Sequence, residues 1–129
     1  MTASIAVYLA SASPRRKELL SLLNIPFDII RVDVEELRQP NEAAIDYVQR
    51  LAKDKSLAGW NACQGRVPVI GADTIVVFGE EVLEKPVDFA DAQRILRLLS
   101  GNTHTVMTAV ALTTADGCDV VLVCSEVSF

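Results

Sequence analysis

The C-terminal end of the chain carries the strongest constraint on the fold, because two long strand-like runs flank a turn signal there. Residues 103–114 and 119–129 are rich in valine and threonine, which favour β-strands. The dipeptide Asp116-Gly117 between them is typical of a β-hairpin. The sequence therefore predicts an antiparallel pair of strands in this region.

Three shorter strand-like runs precede this hairpin. They are apolar, are bounded by turn signals, and cover residues 5–10, 27–32 and 67–78. We expect the third run to be broken at Gly71-Ala72-Asp73-Thr74. The sequence Phe78-Gly79-Glu80-Glu81-Val82 that follows it is typical of a hairpin turn.

Helical patterns separate these strands. The first predicted helix starts at a Ser13 cap and ends before Pro26. The second starts at an Asn41 cap and covers residues 42–59. The third starts at an Asp88 cap and ends at Gly101. The apolar stripe of the second helix is Ala44, Ile45, Val48, Leu51 and Ala52. The inward positions of the third are Ala92, Ile95, Leu96 and Leu99. Strands that alternate with helices predict a mixed α/β fold, a twisted sheet flanked by helices, with residues 1–129 as a single domain.

The composition favours a soluble, cytoplasmic protein. Half of the residues are hydrophobic and 22% are charged, as in globular proteins. No apolar run approaches the ~20 residues that span a membrane, and the N-terminus lacks the pattern of a signal peptide. The net charge of −5 argues against sequence-independent binding to nucleic acid, which uses many lysine and arginine contacts to phosphates. We therefore expect neither a nucleic-acid nor a membrane partner.

Cysteine and histidine chemistry is not indicated. Cys63, Cys118 and Cys124 lack the spacing of metal ligands, and their odd number favours free thiols that serve as small buried hydrophobes. His104 has no cysteine or histidine companion and is expected to be structural. A zinc site and a Ser-His-Asp triad are therefore poorly supported.

A basic segment follows the first strand directly. Ser11-Ala12-Ser13-Pro14-Arg15-Arg16 forms a small-residue turn that opens onto a helix N-terminus, where free N–H groups and the helix dipole attract anions. Ser11 can donate its hydroxyl, and the two arginines can bind phosphate oxygens in a bidentate manner. The alternative is an ordinary capped helix with solvated arginines. Because cations oppose the dipole at that end, phosphate binding is the favoured interpretation.

An acidic residue interrupts an apolar strand at Asp73. A carboxylate among Ile70, Ile75 and Val76 is costly to bury without a partner. It suits a Mg²⁺ ligand or a general base that accepts a proton from water. The alternative is a structural aspartate at a bulge or turn.

Three further charged residues complete the candidate site. Lys55 falls on the apolar stripe of the second helix, and Lys85 precedes Pro86. Each alone is more often a surface residue, but with the arginines they supply the cations that phosphoryl chemistry uses. Glu36 adds a second carboxylate that can join Asp73 at Mg²⁺ or Mn²⁺, with plain surface acidity as the alternative.

Four segments in order resemble the Maf family. They are Ser11-Ala12-Ser13-Pro14-Arg15-Arg16, Gly71-Ala72-Asp73-Thr74, Glu84-Lys85-Pro86 and Leu99-Ser100-Gly101-Asn102-Thr103-His104. The resemblance covers nearly all of the chain, and the ordered set is far more specific than any one segment. It implies an inosine triphosphatase-like α/β fold and a nucleoside triphosphate pyrophosphatase, with a divalent cation as cofactor and a homodimer as the assembly.

The resemblance also implies a role for each candidate residue. Asp73 matches the catalytic carboxylate, and Glu36 matches an acidic residue near the metal. The phosphate-site residues it implies are Ser11, Arg15, Arg16, Lys55 and Lys85. Arg16 and Thr74 match the positions linked to substrate choice, and Thr74 after the aspartate resembles the branch that acts on dTTP and UTP.

One departure and one rival function accompany this resemblance. Family members continue beyond the position of Phe129 with a Lys-Ala-Gly-Tyr-Gly-Gln-like segment, so we expect the C-terminal part of the fold to be missing here. The rival is a nucleotide-binding regulator of septum formation that does not turn over its ligand. Asp73 favours the enzyme, because a pure sensor has little use for a carboxylate beside a polyanion.

Overall fold

A mixed β-sheet organises the described part of the chain. The computed structural model describes residues 6–10, 18, 21–22, 24, 26–79, 81–83 and 87–128. The strands are β1 (Val7–Ala10), β2 (Phe27–Ile29), β3 (Val69–Phe78), β4 (Glu81–Leu83), β5 (Thr103–Thr114) and β6 (Gly117–Ser128). The helices with described bounds are α1 (Ala44–Ala62) and α2 (Phe89–Leu99). The predicted first helix, from Ser13 to Pro26, lies largely outside the described residues.

The sheet has six strands and contains both strand directions. Its order is β2-β1-β3-β5-β6, with β4 paired to β3 beside this path. β1 runs parallel to β2 and to β3, whereas β3, β5 and β6 follow one another in antiparallel pairs. The predicted mixed α/β fold is confirmed, with β1 and β2 shorter than the sequence runs that predicted them.

The predicted C-terminal hairpin is also confirmed. β5 and β6 pair along their whole length, from Thr103 opposite Ser128 to Thr114 opposite Gly117. Gly117 has a φ of 133°, which glycine adopts without the steric cost that a Cβ would bring. The turn therefore lies at Ala115 and Asp116, and β6 begins earlier than predicted.

The expected break in β3 is wrong. The strand is continuous from Val69 to Phe78, and Gly71 marks a close approach rather than an interruption. A Cβ on Gly71 would lie 2.4 Å from the backbone nitrogen of Ser56 and 2.5 Å from the carbonyl oxygen of Ala52. Glycine at this point lets α1 pack directly on the strand.

Helix α1 differs from its prediction at both ends. Asn41 adopts a left-handed conformation (φ 60°), so it is not the cap, and the helix begins at Ala44 after Ala43 without a side-chain cap. Gly59 lies inside the helix and does not end it. A Cβ at this position would come within 2.6 Å of Val69 Cγ1. Glycine at position 59 therefore serves close packing, and the helix continues to Ala62.

The apolar stripe of α1 was only partly predicted. Val48, Leu51 and Ala52 are buried as expected, but Tyr47 joins them and Ile45 is 41% exposed. They form a core with residues of β3 and β5 such as Ile75, Val77, Ala109 and Ala111. The face of α1 that packs on the sheet is therefore rotated about the helix axis, relative to the predicted stripe, away from Ile45 and toward Tyr47.

Helix α2 confirms its predicted limits, and of its predicted inward residues only Leu96 is exposed, whereas Ala92, Ile95 and Leu99 are half-buried. The N–H of Asp91 donates to Asp88 Oδ1 at 2.8 Å, which is a side-chain cap, and Gly101 after the helix has a φ of 73°. No residue of α2 is buried, and Leu96 is 57% exposed. Amphipathic periodicity identifies the apolar face of a helix, but it does not identify what covers that face.

Candidate active site

Strand β3 places Asp73 between the sheet and α1. Side chains alternate along a strand, so Asp73 shares the α1 face with Gly71 and Ile75. The residue is only 8% exposed, and a carboxylate at that depth requires a partner.

Lys55 of α1 supplies that partner and joins Asp73 to a second carboxylate. Its Nζ donates to Asp73 Oδ1 at 2.9 Å and lies 2.7 Å from Glu36 Oε1. Burial of the ammonium group disfavours its charged form, but the hydrogen bonds and charges of the two carboxylates outweigh burial and raise the pKa of Lys55. Lys55 therefore remains a cation at neutral pH, bridging Glu36 and Asp73.

The segment that carries Glu36 is fastened to α1 by two side chains. The hydroxyl of Tyr47 donates to the carbonyl oxygen of Glu36 at 3.1 Å. The guanidinium of Arg50 donates to the carbonyl oxygen of Leu37 at 2.8 Å and makes two bonds to Glu42, at 2.8 and 3.0 Å. These contacts hold Glu36 within reach of Lys55.

The Arg50–Glu42 pair predicts how stability depends on pH. Hydrogen bonds from Arg50 and from the backbone of Gln39 lower the pKa of Glu42 from 4.5 to about 2. A lowered pKa means that the ionised carboxylate stabilises the fold above pH 4.5, and that this contribution is lost as the pH falls toward 2. Glu42→Gln is expected to lower the melting temperature at pH 7 and to lose most of that difference near pH 2, as measured by thermal unfolding at both pH values.

The control for this measurement is Glu126→Gln, at an exposed position of β6. We expect its melting temperature to follow that of the wild type at both pH values. A deficit of Glu42→Gln that is equal at pH 7 and near pH 2 would contradict the role given to the ionised carboxylate.

A cavity opens beside the Lys55 cluster. It has a volume of about 530 Å³, and its lining includes Ala10, Lys55, Glu36 and the chain from Ile29 to Val34. Ala10 ends β1, and the predicted phosphate loop follows it in the chain. The cavity therefore adjoins Lys55, Glu36 and the C-terminal end of β1.

The predicted site residues divide into three groups. Glu36, Lys55 and Asp73 come together, with Lys55 in contact with both carboxylates. Thr74 lies on the opposite face of β3, where its hydroxyl shares a 3.0 Å hydrogen bond with that of Thr108. The remaining predicted site residues, which lie outside the described residues, are Ser11, Arg15, Arg16 and Lys85.

Tyr47 and Arg50 are positioning residues that the sequence analysis missed. Both lie on α1, and Tyr47 is 2% exposed although it carries a polar hydroxyl. An aromatic residue within the apolar stripe and an arginine three positions later were the available signals, since this spacing places both on one side of a helix. Neither signal identifies the distant segment that the two side chains bind.

Other metal-binding arrangements are not found in the described part of the chain. It contains no group of three or more histidine, cysteine, aspartate or glutamate residues placed to hold a metal ion. The three cysteines are free, and of them only Cys63 is buried. His104 is buried in β5. Among the described helices, none has the length and apolarity to cross a membrane.

Comparison with known protein families identifies the family of this chain. Residues 6–129 match the family described as Maf-like protein. The chain belongs to the Maf-like family. The resemblance drawn from the four motifs is thereby confirmed.

Three curated relatives of this Maf-like chain carry the same name. Proteins called dTTP/UTP pyrophosphatase are 54% identical over 124 residues in Yersinia pestis, 52% over 132 in Photobacterium profundum and 53% over 123 in Salmonella typhimurium. These matches cover 96%, 98% and 95% of this chain, but 63%, 67% and 62% of the relatives. The chain thus spans slightly less than two thirds of the length of most of them.

Solved structures confirm the fold. The Staphylococcus aureus Ham1 protein superposes with a TM-score of 0.64 at 15% identity, covering 93% of this chain and 69% of that one. A nucleoside-triphosphatase, or dITP/XTP pyrophosphatase, from Mycobacterium abscessus superposes with a TM-score of 0.56 at 18% identity, covering 93% and 70%. The predicted inosine triphosphatase-like fold is confirmed by this similarity.

Proposed function

We propose that this Maf-like chain carries the catalytic cluster of a nucleoside triphosphate pyrophosphatase that converts dTTP and UTP to their monophosphates and pyrophosphate. The observation that carries the proposal is the convergence of Glu36, Lys55 and Asp73 beside a cavity of about 530 Å³. The name shared by relatives at 52–54% identity supports the choice of substrates.

The chemistry assigns a proton acceptor and a set of cations. The oxygen of a water molecule bonds to the α-phosphorus, while the bond from this phosphorus to the oxygen shared with the β-phosphate breaks. Asp73 takes the proton of the water, and pyrophosphate leaves. Lys55, together with Arg15, Arg16 and Lys85, stabilises the negative charge of the phosphates, and Ser11 donates to them. The family resemblance links Thr74 and Arg16 to the choice of substrate, and Thr74 lies on the face of β3 opposite Asp73.

The carboxylate pair fits a divalent cation. Mg²⁺ is commonly held by one or two carboxylates together with substrate phosphates and water, and Glu36 and Asp73 already converge on one cation, the ammonium of Lys55. Glu36 and Asp73 would hold Mg²⁺ or Mn²⁺. When bound, the ion would neutralise charge on the phosphates. A homodimer, which rests on the family resemblance, and a cytoplasmic location, which rests on the composition, complete the proposal.

Pyrophosphate release with Mg²⁺ tests the function. The substrates are dTTP and UTP against dCTP, 7-methyl-GTP and ITP. Two proteins are assayed: this chain, and a chimera in which the C-terminal third of the Yersinia pestis relative follows residue 129. We expect release from dTTP and UTP to exceed that from the other nucleotides by at least about tenfold, the discrimination that ~1.4 kcal/mol of differential binding provides.

The other outcomes are informative. Preference for a purine nucleotide would agree with the proposed pyrophosphatase activity and would contradict dTTP and UTP as the substrates. Binding of nucleotides without release by either protein would contradict the enzyme and favour the regulator of septum formation.

A further inference from the structure

Lys55 lies where two carboxylates meet. Its Nζ is 2.7 Å from Glu36 Oε1 and 2.9 Å from Asp73 Oδ1, and its side chain is only 17% exposed. Glu36 comes from the segment before α1 and Asp73 from β3, so the ammonium group links two separate parts of the fold. Among the described residues, it is a cation that contacts both carboxylates.

We propose that Lys55 and the divalent cation compete for the Glu36–Asp73 pair, so that metal binding displaces the ammonium group and frees it for the phosphates. Two cations in contact with the same carboxylates repel one another, and the low exposure of Lys55 and Asp73 limits screening by water. A metal ion at this pair therefore disfavours the ammonium group at its observed position. The release toward phosphates rests on the proposed function, whereas the competition itself does not.

The displaced ammonium group has a place to go within the site. Lys55 and Glu36 both line the cavity of about 530 Å³, and Ala10 lines the same cavity. The flexible four-carbon stem of a lysine can redirect its charge without movement of the helix. In this proposal Lys55 has two successive roles. It pairs with Glu36 and Asp73 before the metal ion binds, and it contacts the phosphates, as the family resemblance implies, after the metal ion has displaced it.

Metal affinity measured without nucleotide tests the competition. Mn²⁺ binding is followed by electron paramagnetic resonance for the wild type, Lys55→Gln and Lys53→Gln. Lys53 is an exposed lysine on the same helix, so its variant controls for the loss of one positive charge. We expect Lys55→Gln to bind Mn²⁺ at least about tenfold more tightly than the wild type, because the cost of displacing the ammonium group is gone. Equal affinity of the two variants, or no Mn²⁺ binding by any of the proteins, would overturn the proposal.

A second measurement separates displacement from the simple loss of charge. The ε-methylene groups of lysine side chains can be followed by nuclear magnetic resonance in the wild type during titration with Mg²⁺. We expect the Lys55 signal to shift or disappear as Mg²⁺ binds, and the Lys53 signal to stay unchanged. An unaltered Lys55 signal at saturating Mg²⁺ would overturn the competition even if Lys55→Gln bound Mn²⁺ more tightly. Neither measurement uses turnover, so failure of the pyrophosphatase assay would leave the competition between Lys55 and the metal ion standing.

Discussion

Replacement of Asp73 by asparagine is expected to lower the turnover of dTTP by about 10³-fold, the order of magnitude that a general base contributes. Asparagine has nearly the same shape, but its amide neither accepts the proton of the attacking water nor supplies a carboxylate oxygen to a metal ion. The nucleotide is bound mainly through cations, so its affinity should change little. The measurement is steady-state pyrophosphate release together with nucleotide binding by calorimetry, on the chimera or on the chain, whichever is active.

The matched control is Asp119→Asn, at an exposed position of β6. It removes one negative charge from the same protein without touching the cluster, and we expect turnover equal to that of the wild type. If Asp73→Asn hydrolysed dTTP at the rate of this control, the catalytic assignment of Asp73 would be wrong.

Replacement of Gly71 by alanine is expected to lower the free energy of unfolding by about 3 kcal/mol, the upper part of the range for overpacking in a well-packed interior. The new methyl group would meet the backbone of Ser56 and Ala52 at 2.4 and 2.5 Å. Backbone atoms of a packed helix cannot turn aside as a side chain can, so α1 has to move away from β3. That movement strains the bonds from Ser56 Oγ to the carbonyl oxygen of Val69, at 2.7 Å, and to the hydroxyl of Thr113, at 2.6 Å.

Urea unfolding measures this effect, and Gly59→Ala is the comparison. The atoms nearest to its methyl group would belong to the side chains of Val69, Ala10 and Ile30, and alanine is favoured over glycine within a helix by ~1 kcal/mol. We therefore expect the smaller loss at position 59. A larger loss there than at Gly71 would contradict the account of how α1 approaches β3.

Gly71→Ala should also disturb the site. Lys55 adjoins Ser56 in α1, so a shift of the helix would lengthen the 2.9 Å contact between Lys55 Nζ and Asp73 Oδ1. The packing of α1 and the geometry of the Lys55–Asp73 pair therefore depend on the same glycine.

Local patterns predicted the elements well where a local cause determines them. The Asp88 cap of α2 depends on a bond within one helical turn, and the β5–β6 hairpin depends on Gly117 and two strand-forming runs. The predicted caps and breaks failed where distant packing determines the outcome. Gly59 and Gly71 were interpreted as a helix end and a strand break, because the approach of α1 to β3 is not visible in either segment alone.

The same division holds for the candidate site. Asp73 and Lys55 were identifiable from the sequence because each places a charge in an apolar pattern, which is costly unless the charge has a partner. The identity of the partners, and the placement of Thr74 on the other face of β3, come from the register of the sheet and from the position of α1. Tyr47 and Arg50 became positioning residues only because the segment from Glu36 to Glu42 folds back on α1.

The sequence by itself determined the mixed α/β class, the family, the caps and turns that depend on neighbouring residues, and the presence of buried charges that need partners. Only the tertiary structure decided that Lys55 bridges Glu36 and Asp73, because those residues lie far apart in the chain and meet through the packing of α1 on β3. A charge within an apolar segment indicates from the sequence that the side chain needs a partner. Which residue becomes the partner depends on which side chains the folded chain brings within hydrogen-bonding distance.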